Sequence, residues 1–216
     1  MEKIIFHKER KTFHLYNEEI SYIMCVLENG HMGQLYYGKR IHDKPDFSYL
    51  VEKCGRPMTS YIFEGDRSFS LEHIRQEYPV YGTTDYRHPA IEIMQENGSN
   101  ISEFKYVGYE ILKGKPSLKG LPATYTESEE EAETLKIILK DSLTGAKLTL
   151  LYTIFSKGSA IARSAHICNE GEKVLHLQTM MSLNLDLPDK DYVWMQLSGA
   201  WSRERYVKNR ILEQGI

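Results

Sequence analysis

The chain has 216 residues, 41% hydrophobic and 26% charged, enough to bury a full core as one large β domain or as two small ones. Its formal net charge of -3, with no lysine or arginine block long enough for a polybasic arm, excludes nucleic acid as an expected partner. No apolar run approaches the roughly 18 residues of a membrane span, and Met1-Glu2-Lys3-Ile4-Ile5-Phe6 lacks the apolar stretch and cleavage site of a signal peptide, so a cytoplasmic protein with no membrane partner is expected.

In chain order the predicted elements are strand after strand. From Ile20 to Leu27 both alternating sets of side chains are largely apolar, which predicts a strand covered on both faces. Leu35-Tyr36-Tyr37 follows. The stretch Ser70 to Gln76 reads as a helical turn with Ser70 as cap. Strands are next predicted at Ala90 to Met94, Phe104 to Ile111 and Leu135 to Leu139, separated by Gly, Pro, Asn and Asp. Asn97-Gly98-Ser99 and Asn100-Ile101-Ser102 read most simply as a turn. The acidic run Glu127 to Thr134 has too little apolar periodicity for a helix and reads as a solvated loop or brief turn leading into a strand. Three long strands are predicted at Lys147 to Phe155, Ala160 to Asn169 and Val174 to Leu187. Their connectors, 156–159 and 169–173, suit hairpin turns. With no repeat or linker, the pattern predicts one continuous β domain over 1–216, built of two large, mostly antiparallel sheets packed face to face.

Most catalytic signatures are missing: there is no phosphate loop, HExxH, GxSxG elbow or dinucleotide fingerprint. The histidines (7, 14, 31, 42, 73, 88, 166 and 176) are scattered without ligand spacing, so no metal is expected. Cys25, Cys54 and Cys168 are odd in number and widely spaced, which argues against a disulfide framework and against a CxxC redox or zinc pattern.

The segment Leu197-Ser198-Gly199-Ala200-Trp201-Ser202-Arg203-Glu204-Arg205 admits two readings. Trp201 sets a flat apolar ring beside guanidinium and carboxylate groups, the mixture that packs on the C–H patches of a sugar and satisfies its hydroxyls. Equally, it fits a packing residue next to a solvated ion-pair cluster. Alternation places Trp194 and Gln196 on one face of the preceding strand and Val193, Met195 and Leu197 on the other.

Together with Gln76-Glu77-Tyr78-Pro79-Val80-Tyr81-Gly82-Thr83-Thr84-Asp85-Tyr86-Arg87-His88-Pro89-Ala90 and Lys113-Gly114-Lys115-Pro116-Ser117-Leu118-Lys119-Gly120-Leu121-Pro122-Ala123-Thr124-Tyr125, that segment resembles the amino-terminal region of bacterial α-galactosidases of glycoside hydrolase family 36. The resemblance runs from Phe13-His14-Leu15 to the Arg-Glu-Arg run. One departure is Thr84, where many relatives carry glycine. The resemblance implies an all-β supersandwich of the galactose-mutarotase-like kind. It implies that both catalytic aspartates lie in a following (β/α)₈ barrel, one in a Lys-Trp-Asp motif and one after a Gly-rich stretch ending in Arg; neither motif occurs here. The chain, ending at Gln214-Gly215-Ile216, is therefore expected to be an inactive fragment of a retaining enzyme that releases terminal α-linked galactose from sugars such as melibiose and raffinose, without a cofactor and commonly as a tetramer. Trp201 corresponds to a wall of the sugar pocket, and the segment 43–61 to a family loop near that pocket that does not align residue by residue.

A retaining glycosidase needs two carboxyl groups about 5 Å apart. Asp46, Asp85 and Asp186 are the carboxylates to inspect, and Asp85 reads better as a salt bridge or Asx turn that fixes its loop. Two other classes stay open beside the enzyme fragment: a stand-alone carbohydrate-binding module, and a structural or oligomerisation domain.

Overall fold

The structure is a computed structural model that describes residues 3–55, 58, 60–120, 123–188 and 190–213. It divides into a larger unit, Met1–Asp186, and a smaller one, Leu187–Ile216.

In the larger unit, β1 (Ile4–His7), β2 (Thr12–Tyr16), β3 (Ile20–Val26) and β4 (Met32–Lys39) form an antiparallel meander in the order β1-β2-β3-β4. A second meander holds β6 (Phe104–Lys113), β7 (Ala132–Asp141), β8 (Ala146–Phe155) and β9 (Ile161–Asn169). The strands β5 (Ile91–Gln95) and β10 (Leu175–Met180) pair as a separate ribbon.

Alternation decides the inner faces. Facing pairs Leu135↔Tyr152, Ile137↔Leu150 and Leu139↔Leu148 turn one side of β7 and β8 inward. They join Phe13, Leu15, Tyr22 and Met24 from the first meander in one buried cluster, to which Ile91 and Ile93 of β5 also belong. This is the expected sandwich, two apolar sheet faces excluding water from each other. The other face of β3 is covered as well. Ile23 and Cys25 pack in a second cluster with Phe47, Phe69, Leu71 and Ile74, all from the strandless stretch after β4. The all-apolar run at 20–27 is thus a strand buried on both sides, as its pattern predicts.

Local turns largely follow the sequence. Residues 156–159 join β8 to β9 as a hairpin. Gly98, at φ 81, closes the turn after β5, where Gln95 N–H donates to Ser99 O at 2.9 Å. The acidic run forms an exposed 3₁₀ turn, Glu129–Glu131, that leads into β7. At Ser70 the helical turn is single, with His73 and Ile74 N–H both donating to Ser70 O at 3.2 Å.

Two expectations need correction. The connector 169–173 does not make a hairpin, because β10 pairs with β5 and not with β9. Asn169 fixes the local turn, its amide donating to Lys173 O at 2.8 Å and accepting from Gly171 N–H at 3.0 Å. Such a turn is locally equivalent whether the chain returns to its neighbour or crosses to another sheet. The strand expected to reach Leu187 stops at Met180. Its one partner among the described residues, β5, has run out by then, and a bulge between Leu177 and Thr179 already disturbs the register.

Leu148 is fully buried between the sheets, whereas Leu143 in the β7–β8 turn is 77% exposed. Leu148→Ala is therefore expected to lower the unfolding free energy by about 2–5 kcal/mol, and Leu143→Ala by less than about 0.5 kcal/mol, in urea titrations.

Candidate functional site

The motif at 76–90 is held from below by a buried ion pair. Glu77, fully buried, accepts from Tyr22 Oη at 2.6 Å and Tyr152 Oη at 2.8 Å, and pairs with Arg163 at 3.1 Å. The Arg163 guanidinium, 4.7 Å from the Tyr152 ring centroid, also donates to Glu77 O at 3.1 Å and Asn184 O at 2.9 Å. Burial, then the Glu77 charge, pushes the Tyr22 and Tyr152 hydroxyls well above their ordinary range. Burial works against the charge on Arg163, but Tyr152 and Glu77 outweigh it and raise its pKa. The two tyrosine hydroxyls and the guanidinium therefore keep their protons near neutrality.

A second network fixes the rest of the motif. Asp85, 1% exposed, receives Arg87 Nε on Oδ1 and Arg87 Nη2 on Oδ2, both at 3.0 Å, and Gln76 Nε2 at 2.6 Å. It also accepts Arg87 N–H at 3.1 Å, so Asp85 makes both the salt bridge and the Asx turn expected of it. Arg87 further donates to the carbonyls of Leu71 and Ile74 and reaches Asp186 at 3.4 Å. Asp186 accepts Gln76 N–H at 3.0 Å. Burial opposes the Arg87 charge, yet its bonds to Asp85 and the carboxylate charge there raise its pKa. Thr84 takes the left-handed conformation, φ 69, a region that favours glycine. A β-branched residue there costs on the order of 1–3 kcal/mol, and the network on either side over-determines the turn. Tyr81 and Tyr86 stand exposed at its rim, ring centroids 6.5 Å apart and edge-on.

The structure thus brings together two of the three carboxylates singled out in the sequence. Asp85 and Asp186 share one guanidinium, so both are held in a charge-assisted hydrogen-bond network and do not stand as an unpartnered carboxyl couple facing a cleft. Asp46 lies apart, paired with Arg10 at 3.0 Å and accepting Ser48 N–H at 2.7 Å.

A cluster missed by sequence reasoning sits on the outer face of the first meander. His14 Nδ1 lies 2.7 Å from Asp43 Oδ1, and His7 Nε2 lies 2.9 Å from the same oxygen. His14 Nε2 meets Ser21 Oγ at 2.9 Å. The order Ser-His-Asp is that of a nucleophile relay. Ser21 is, however, fully buried, and its Oγ accepts Ile41 N–H at 3.0 Å, so no substrate carbonyl reaches it. Strand register carried the signal: His7 faces Thr12, two residues from His14, and residues two apart on a strand share a face. Among the described residues no group of three His, Cys, Asp or Glu has the spacing to hold a metal ion.

The smaller unit is one hairpin, β11 (Val193–Ala200) and β12 (Arg203–Ile211). A Cβ on Gly199 would fall 2.1 Å from Arg203 O, so only glycine admits this approach. Trp201 occupies the turn, 90% exposed. Glu204 caps that turn by accepting Ser202 N–H at 2.9 Å instead of pairing with its arginine neighbours. Trp194 and Gln196 share a face as alternation predicts: Trp194 Nε1 donates to Gln196 Oε1, and Gln196 Nε2 to Ser198 Oγ, both at 3.1 Å. Val193, Met195 and Leu197 turn the other way and are exposed. In the segment 43–61, Tyr49 and Tyr61 are exposed, while residues 56, 57 and 59 lie outside the described residues, as do 121–122 of the second motif and the terminal 214–216.

Comparisons with known proteins agree with this arrangement. The family model described as the glycosyl hydrolase family 36 N-terminal domain matches residues 30–216. Alpha-galactosidase AgaA of Geobacillus stearothermophilus is 41% identical over 213 residues, 99% of this chain and 29% of that protein. A crystal structure of the alpha-galactosidase from Lactobacillus brevis superposes with a TM-score of 0.94 at 37% identity, over 98% of this chain and 28% of that one. A variant of AgaA in complex with raffinose superposes with a TM-score of 0.90 at 42% identity, over 95% of this chain and 28% of that one. The chain therefore spans less than a third of the length of the relatives it matches.

Removing one partner of a buried ion pair leaves the other charge uncompensated. Glu77→Ala is expected to lower stability by about 3–5 kcal/mol in denaturant titrations, and a loss under about 1 kcal/mol would show that the pair does not anchor the motif.

Proposed function

We propose, from the premise that this chain belongs to glycosyl hydrolase family 36 and forms its N-terminal domain, that it is the non-catalytic part of a retaining α-galactosidase. The parent enzyme releases terminal α-linked galactose from sugars such as melibiose and raffinose, with both catalytic carboxylates outside these residues. The observation that carries this reading is the near-complete match of the chain to less than a third of α-galactosidases. The state of the local carboxylates supports it: Glu77, Asp85 and Asp186 each meet a guanidinium.

Within that enzyme, Trp201 is a wall of the sugar pocket. Its exposed indole on a glycine-tightened turn suits the stacking of a galactose C–H face. The domain also supports assembly into a homo-oligomer, a tetramer as in the family, in the cytoplasm. A second reading, a carbohydrate-binding module acting alone, is favoured by one observation, the exposure of both Trp194 and Trp201 on a single hairpin.

The isolated chain is expected to release no p-nitrophenol from p-nitrophenyl α-galactoside, while the polypeptide extended through the barrel does; activity in the isolated chain would sink the proposal. In the extended enzyme, Trp201→Ala is expected to weaken kcat/KM for raffinose by about three- to tenfold and Trp194→Phe to leave it unchanged. Galactose titration of the isolated chain by tryptophan fluorescence separates the second reading, which requires binding that Trp201→Ala abolishes.

A further inference from the structure

Four polar groups on the outer face of the first meander serve none of the roles above. They come from four places: His7 on β1, His14 on β2, Ser21 on β3 and Asp43 on the segment that leaves β4. His14 is fully buried, with the rings of Tyr16 at 5.0 Å and Phe47 at 5.5 Å. The charged or titratable groups that face it are Asp43, His7 and Arg40, the last stacked over Tyr16. Phe47 belongs to the apolar layer that covers β3 from outside. Whatever holds Asp43 in place therefore also holds the root of that layer.

We propose that Ser21, His14, His7 and Asp43 form a proton-sensitive latch that fastens residues 41–47 to the sheet, whole at neutral pH and loosened by acid. The hydrogen-bond directions define its closed state. Ile41 N–H donates to Ser21 Oγ, and with neutral His14 the Ser21 hydroxyl donates to Nε2 while Nδ1–H donates to Asp43. A second proton on Nε2 turns that acceptor into a donor. The Ser21 hydroxyl must then turn its proton away from Nε2 and accept from it instead, and the acceptor left for that proton is Ile41 O, at 3.5 Å the limit of a hydrogen bond. The closed latch thus holds the extra proton less well than an opened one in which the imidazole meets water.

The direction of the titration agrees. Burial lowers the His14 pKa below the ordinary 6.5, against opposing help from Asp43. For a group depressed in the closed state, the latch is complete above the ordinary value and weakens as pH falls from there toward the lowered one. Burial by itself would raise the Asp43 carboxyl, but bonds from His14 and His7 outweigh it and hold it below 3.8. It stays charged across this window, so Asp43 does not open the latch, and the second proton on buried His14 is what disturbs the Ser21 bond.

Amide hydrogen exchange read by mass spectrometry tests the latch without reference to any catalytic activity. Corrected for intrinsic rates, protection of the Ile41 amide within the 41–47 peptide, whose N–H donates to Ser21 Oγ in the closed latch, is expected to fall about tenfold between about pH 7 and pH 5.5 while peptides from β6 to β9 hold theirs. His14→Gln is expected to remove that pH dependence. Should that variant fold poorly, nitrogen NMR of the unaltered protein decides: His14 must be the neutral Nδ1–H tautomer at neutral pH and must titrate together with the loss of protection. Constant protection over 41–47, a decline shared by β6 to β9, or a protonated His14 at neutral pH would each overturn the latch.

Discussion

The constraint on which the larger unit depends is the burial of one negative charge. Glu77 is fully buried, so each carboxylate oxygen must find donors inside the protein, and it finds them on β3, β8 and β9 at once. Those three strands come from both meanders. The same guanidinium that neutralises Glu77 also grips Asn184, whose side chain returns to Gln76 O at 3.0 Å. Two sheets, the 76–90 motif and the segment after β10 are therefore located by one charge. A hydrophobic core alone would accept many relative offsets of two apolar sheets. A charge demanding three hydrogen-bonding partners accepts far fewer.

Rigidity at the base permits irregularity at the rim. Thr84 holds a backbone conformation that a branched side chain disfavours, and it does so between Gly82 and the Asp85–Arg87 clamp. The result is a loop that presents Tyr81 and Tyr86 outward without relying on a layer of side chains above them. The Trp201 turn reaches a similar end by different means, a glycine that admits a carbonyl and a glutamate that caps the backbone.

Much of this was legible in the chain, and the parts that were not share a cause. Strand existence and the two-sided burial of β3 follow from periodicity, which is a local property. The role of Asp85 was readable because its partner Arg87 lies two residues away. Which strand β10 would join was not readable, since the turn before it is the same for a return and for a crossing. The Glu77–Arg163 pair joins residues 86 apart in sequence, and neither has a local signature. The histidines looked scattered because their spacing is set by strand register, not by helical or loop ligand patterns. The resemblance in three irregular motifs carried the family, and the structure explains why two of those motifs are irregular: one houses buried charge networks and the other a turn that only glycine admits.

The double cover of β3 has a mechanical corollary. A strand sandwiched between two apolar clusters is the shared wall of an inner room and an outer one, and the outer room is roofed by a strandless stretch alone. The two rooms share no side chain of that wall, because Ile23 and Cys25 face one way and Tyr22 and Met24 the other. Loss of the outer cover would thus bare Ile23 and Cys25 and leave the strand pairing of both meanders untouched.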